Sequence, residues 1–270
     1  MIYYFFIIII IDMNNYYLTE NSKAIISGSL AGAIGYCSTL PLDYIKQHMQ
    51  NNKSFTSIIQ NTKPRYYFNG GLIGLSTIAP QMAIKYFCFH NFNKVFDNKQ
   101  TSAFCAGIVD GAFLGPILAI QSFKQMETNI KKNINYLDII KKNYVSLMIP
   151  MALRNGVYTS SVLGGYFYVK NNFMDNKDTN FIQNFCIASA LNIPGTILSS
   201  PFDVVRARYT NNLVNNNNNG NISLFNLTKS IYKEGKIKAF YRGYSSLYIN
   251  FALRFPLTFA LQFKIIDLLD

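Results

Sequence analysis

Charge is what this sequence has least of. Asp, Glu, Lys and Arg make up 14% of its 270 residues, against 50% hydrophobic ones and a mean hydropathy of +0.10. An ordinary soluble domain carries about a quarter charged residues, so the composition argues against a water-facing globule and for a lipid environment. Histidine occurs twice, with no His/Glu cluster, which leaves neither an acid-base nor a metal constellation. We therefore expect no enzyme, no metal site and no cofactor. The four cysteines, Cys37, Cys88, Cys105 and Cys186, sit in apolar stretches without a CxxC pair and read as buried small residues rather than disulfides or zinc ligands. Acid is scarcer than base, 13 residues against 25, and the net charge of +12 implies an anionic partner, either nucleic acid or acidic phospholipid. The placement of the charges decides between them.

A bilayer-spanning helix needs about 20 residues with few charges. Nothing ionises between Lys23 and Asp43, Arg65 and Lys85, or Asp178 and Asp203. Lys99 to Lys124 is broken only by Asp110, Asn143 to Val169 only by Arg154, and Arg242 to Lys264 only by Arg254. These intervals predict six spans, paired through longer polar loops near 47–67, 125–145 and 207–241 and joined by short loops near 91–100 and 170–180. An even number of spans puts both termini on one side. Counting the flanking Arg242, the long loops hold 13 basic residues, among them Lys53, Lys132, Lys229 and Lys236, against Glu127, Asp138 and Glu234, whereas the short loops are nearly neutral. Such asymmetry orients a membrane protein, and it makes nucleic acid the weaker explanation of the charge.

Each long loop repeats an amphipathic pattern: Phe55, Ile58, Ile59; Tyr136, Ile139, Ile140; Leu227, Ile231. Apolar residues at this spacing beside lysines suit a short interfacial helix. The Asn215 to Asn219 tract reads as a disordered insertion. Residues 1–21 open with an uncharged run too short to span, without the basic flank of a signal peptide or an Arg-rich transit segment, and read as a membrane-skimming tail.

A signature recurs at about 80-residue spacing. The first span ends in Pro41-Leu-Asp43-Tyr-Ile-Lys46, the third in Ala119-Ile-Gln121-Ser-Phe-Lys124 and the fifth in Pro201-Phe-Asp203-Val-Val-Arg206. Glu234-Gly235 and Tyr241-Arg242-Gly243 follow the third copy. From about residue 22 onward the chain resembles the mitochondrial carrier family, whose signature is Px[DE]xx[KR] followed by an acidic-Gly pair and an aromatic-basic-Gly triplet. Its departures are a second copy without Pro or acid, a first copy with Phe68-Asn69-Gly70 but no acidic-Gly pair, and one extra residue between the halves of the third. Physically, Pro41 and Pro201 can bend their helices toward a common axis, and an acid and a base three apart share one helix face. The resemblance implies a matrix gate pairing Asp43 with Lys124, Asp203 with Lys46, and Gln121 with Arg206. It also implies an outer set at His90 and Asn93, Phe167 and Lys170, Asp267 and Asp270, poorly supplied with charge.

An ionisable group inside a span is a functional candidate by default, which selects Lys85, Asp110, Arg154 and Arg254. Asp110 precedes Lys124 by about four helical turns and should share its face. By the resemblance, Arg154-Asn155 and Thr77-Ile78 fall at central contact points. Counting along the sixth span gives Asn250 from one end and Arg254 from the other, one turn apart on one face. Gly28 and Gly32, with Gly107, Gly111 and Gly115, form small-residue ladders for close helix packing.

The expectation is an all-α membrane protein with six transmembrane helices in three pseudo-threefold repeats, each with a short interfacial helix in the matrix loop. The units are a tail at 1–21 and repeats at 22–99, 100–178 and 179–270. The resemblance implies a monomeric, multi-pass transporter of the mitochondrial inner membrane. It would carry a small anionic or zwitterionic solute, with cardiolipin at the matrix side and no nucleic-acid partner. The alternative is a carrier-shaped receptor or scaffold without transport.

Overall fold

The computed structural model describes residues 20–126, 136–173, 180–215 and 223–269, and among these every regular element is helical. The long helices are α1 (Glu20–Gln50), α3 (Gly71–Val95), α4 (Lys99–Met126), α5 (Tyr136–Thr159), α7 (Phe181–Asn215) and α9 (Tyr244–Leu269). A π-helical turn, Ser160–Gly164, carries α5 directly into α6 (Gly165–Phe173). Between the long helices lie α2 (Phe55–Asn61) and α8 (Leu224–Ala239). Helix α1 packs on α3, α3 on α4, α4 on α5, α5 on α7, α7 on α9, and α9 back on α1, so the long helices close a ring.

Burial in this ring is inverted relative to a soluble bundle. Ser27, Thr39, Gln47, Gln50, Asn184, Asn192, Thr196 and Asp203 are buried, while Leu30, Ile34, Phe113, Leu198, Ile249 and Leu253 are exposed. A polar interior with an apolar exterior suits lipid, where hydrocarbon is the outer solvent. Three segments, Pro64–Val95, Lys99–Met126 and Ile182–Val214, are long and apolar enough to cross a membrane by length and composition. The cysteines follow the same inversion and correct the sequence reading. Cys37 and Cys186 are exposed, Cys88 and Cys105 half-buried, because an apolar stretch faces outward here as readily as inward. Helices α1 and α7 continue through Pro41 and Pro201.

The amphipathic pattern is realised three times. Ser54 caps α2, whose Ile58 is buried; in the first turns of α5, Ile139 is buried; in α8, Leu227 and Ile231 are. Non-helical backbone at Asn143 and at Gly235 and Lys236 ends the second and third of these short helices. The glycine of the aromatic-basic-Gly triplet has a local cause. Gly243, like Gly70 of Phe68-Asn69-Gly70, adopts positive φ, +74° and +76°, a backbone that favours glycine. A Cβ on Gly70 would come 2.9 Å from the Gln121 carbonyl, and one on Gly243 3.1 Å from the Gln50 amide. The middle segment has no such turn: its short helix runs straight into the next at Asn143, whose side-chain oxygen accepts from the Tyr209 hydroxyl at 2.9 Å. The tail, the Asn215 to Asn219 insertion beyond Asn215, Lys132 and the Asp267 and Asp270 side chains lie outside what is described.

Candidate functional site

The C-terminal ends of α1 and α7 bring their motif charges together inside the ring. Lys46 Nζ lies 3.4 Å from Asp203 and 3.9 Å from Asp43, and all three side chains are buried. Asp203 is a hub: Arg154 and Arg206 each approach it at 3.4 Å, and Gln50 donates to it at 2.7 Å. Asp43 is held from α9, accepting from Asn250 at 3.1 Å and Arg254 at 3.3 Å. Both countings along the last helix therefore land on residues that touch one carboxylate.

On α4 the expected residues are displaced by one helical step. Lys124 is exposed and lines an outward recess with Phe68 to Ile73, so it does not pair with Asp43. Gln121 donates to the Tyr36 hydroxyl at 2.8 Å instead of meeting Arg206. Arg206 donates to Ser122 at 3.1 Å, and Ser122 and Gln125, three apart, are the buried pair facing inward. One residue rotates a helix by about 100°, enough to move a lysine from the axis to the outside. The small-residue ladders carry the signal for this register. Gly28 precedes Asp43 by fifteen positions, Ala188 precedes Asp203 by fifteen, and Gly107 precedes Ser122, not Gln121, by fifteen.

The cavity at the axis, about 80 Å³, is lined by Lys46, Arg206, Arg154, Arg254 and Asp43 among others, with Thr77 and Ile78 on its α3 wall. The Thr77 hydroxyl bonds back to Gly74 at 2.8 Å. Arg154 lies over the Phe251 ring and Arg254 over Tyr36, at 5.0 and 4.5 Å from the centroids, which orients both guanidinium planes. Four cations, Lys46, Arg154, Arg206 and Arg254, meet two carboxylates, leaving two positive charges unbalanced. The pairing is loose as well: Arg154 Nε, Arg206 Nε and Asp203 Oδ1 are buried without a hydrogen-bond partner. The two guanidinium donors and the carboxylate acceptor are thus poorly satisfied.

Two smaller cavities continue this track through the ring. The first adds Lys85, Asn155, Tyr158 and Thr159; the second adds Tyr86 and Gln262, which are hydrogen-bonded to each other between α3 and α9. At that end His90 and Asn93 are exposed, and Phe167 stacks on Phe89 at 5.3 Å. Here too Asp110 departs from expectation. It is fully buried against α3 and α5 and lines none of the three cavities, so it does not share the inward face. Its Oδ2 accepts from Asn155 at 3.0 Å and Gln81 at 3.4 Å and faces Lys85 at 3.7 Å. Gly107 and Gly111 bring α4 against the α5 backbone at Asn155 and Met151, which explains how a short Asp side chain reaches Asn155. Among the described residues no cluster of His, Cys, Asp and Glu could hold a metal.

Comparison with known proteins fits this ring of helices with a charged axis. The sequence model of the family described as mitochondrial carrier protein matches residues 19–100 and 177–268. The chain is 24% identical over 258 residues to a mitochondrial 2-oxodicarboxylate carrier from Pongo abelii, covering 83% of this chain and 86% of that one. It is 21% identical to mitochondrial tricarboxylate transporter 1 from Mycosarcoma maydis, covering 69% and 76%. To the mitochondrial aspartate-glutamate transporter of Saccharomyces cerevisiae it is 23% identical, covering 91% of this chain and 32% of that one. The chain belongs to the mitochondrial carrier family as a divergent member, and on that ground is a membrane transport protein rather than an enzyme.

Proposed function

We propose that the chain moves a small dianionic carboxylate across the mitochondrial inner membrane by alternating access through the axial cavity. The observation that carries this reading is the excess of two cations over carboxylates in the site, where Lys46 is buried and the three arginines are half-buried. Uncompensated buried charge is costly, and a solute with two carboxylates supplies the missing counter-charge, one for Arg154 and one for Arg254. Guanidinium forks suit such groups. The three relatives described above are named for 2-oxodicarboxylates, tricarboxylates and aspartate with glutamate. A zwitterion fits less well, because Asp110, the acid that would hold its amine, is already engaged by Lys85.

In this mechanism Asp43, Lys46, Asp203 and Arg206 form the matrix gate, with Ser122 and Gln125 as its neutral third side and Pro41 and Pro201 bending the helices toward the axis. Thr77, Ile78, Asn155 and Asn250 shape the contact region around the two arginines. Breaking a buried ion pair without compensation costs about 3–5 kcal/mol. A solute that takes Arg154 from Asp203 and Arg254 from Asp43 offsets part of that loss and lets the gate open. The chain works as a monomer of six spans in three repeats, 22–99, 100–178 and 179–270, behind a tail at 1–21. Its basic loops and short interfacial helices face the matrix, where cardiolipin would bind.

The test is reconstitution into liposomes with labelled dicarboxylates, amino acids and nucleotides. Exchange of a dicarboxylate, weakened in Arg154→Gln, is expected; a neutral or cationic best substrate would overturn the reading. A receptor or scaffold without transport is the second reading, favoured by the family match skipping 101–176 and by the missing acid on α4. Insertion without exchange of any solute in the panel would select it.

A further inference from the structure

Lys85 and Asp110 form a buried ion pair that the gate does not use. Lys85 lines both smaller cavities, so an anion passing along the track meets its ammonium group. Asp110 stands behind it, fully buried, with Oδ1 lacking any hydrogen-bond partner. The lysine is held at 3.7 Å, longer than a directed hydrogen bond, and its side chain retains 14% exposure. Lys85 and Arg154 line the first of these cavities together, so the lysine's flexible four-carbon stem can swing to the solute carboxylate that Arg154 also meets while Asp110 stays in place.

We infer that solute transport is coupled to a proton carried on Asp110. This rests on the reading that the solute is anionic. When the solute draws Lys85 away, Asp110 keeps only the neutral amides of Gln81 and Asn155 on Oδ2. The other groups that face it are Arg154 from α5, whose charge the solute carboxylate now answers, and the Cys88 thiol from α3. A carboxylate left in that setting without its cation is neutralised rather than kept charged. A hydronium ion in the water entering with the solute gives its proton to a carboxylate oxygen and is left as water. When the solute leaves on the far side and Lys85 returns, the proton is released there, so one proton crosses with each solute and no bond other than O–H is made or broken. Asn155 ties the two events together: it accepts from Arg154 at 2.8 Å and donates to Asp110 at 3.0 Å, so the arginine that meets the solute and the acid that meets the proton share one side chain.

Two measurements decide this. Purified wild-type protein in weak buffer, titrated with 2-oxoglutarate as a probe dicarboxylate, should take up about one proton per molecule bound. Its apparent affinity should strengthen toward tenfold per pH unit of acidification, and Asp110→Asn should make that affinity independent of pH. Binding without proton uptake would overturn the proposal while leaving the anion site standing. The second measurement needs no solute. Lys85→Met removes the amine permanently, and its infrared spectrum should show a protonated-carboxyl C=O band that is absent in wild type and in Lys85→Met/Asp110→Asn. No such band would overturn the proposal whatever the substrate; the band without any dicarboxylate binding would support the proton site and sink the proposed solute.

Discussion

The C-terminal ends of α1 and α7 carry an acid and a base each, and the equivalent end of α4 carries Ser122 and Gln125. The charged ends meet directly, Lys46 to Asp203 at 3.4 Å, while the α4 end joins the ring through one hydrogen bond from Arg206 to Ser122 at 3.1 Å. Two ends are charged and one is neutral. Without an acid at the gate end of α4, the cations have only Asp43 and Asp203 to share, which is why Asp203 serves three of them and why positive charge is left over. The divergence of the middle segment and the excess of positive charge at the axis thus have one origin, and the proposed dianionic solute answers it.

Removing the hub should have the largest effect. Asp203→Asn strands Lys46, Arg154 and Arg206 in a buried site, so stability should fall by about 3–5 kcal/mol, read as thermal unfolding in detergent, and exchange should be lost. Next, Arg154→Gln should weaken the apparent affinity for a dicarboxylate by one to two orders of magnitude, about 1.5–3 kcal/mol for a charge-assisted contact, with insertion intact. Giving α4 an acid reverses the comparison: Ser122→Asp would pair with Arg206, stabilise the closed gate and slow exchange several-fold, which comparison of transport rate with thermal stability would detect. Smallest is Lys124→Ala. Because that side chain is exposed, transport and stability should stay within about 0.5 kcal/mol of wild type, and a large loss in liposome exchange would return Lys124 to the gate.

Much of the site was legible in the sequence where proline anchored the motif. Asp43, Lys46, Asp203 and Arg206 follow Pro41 and Pro201 at fixed spacing, and helix periodicity alone puts each acid and base on one face. On α4 the motif has no proline, and matching by the surviving lysine chose Lys124, one residue out of register. The glycine ladder, which fixes how closely helices approach, held the true register, since Gly107 aligns Ser122 with the two acids. Asp110 was misplaced for the same reason: counted from Lys124 it falls on the inward face, whereas its partners lie between α3, α4 and α5. The cysteines show a different limit. Apolar context reports burial only when water is outside, and around this ring the exposed belt is apolar. Asn143, a polar residue at a kink where one helix passes into the next in place of the Gly turn found at Gly70 and Gly243, has no signature in the sequence beyond the absence of the triplet.

The most direct measurement of the central claim, that the axial site is built two charges short, is competition by a carbon-matched series against uptake of a labelled probe dicarboxylate: the free diacid, its monoamide and its diamide. Two unbalanced cations predict stepwise loss of competition, each lost carboxylate weakening inhibition by about tenfold or more. Equal inhibition by all three compounds, or strongest inhibition by the diamide, would contradict it.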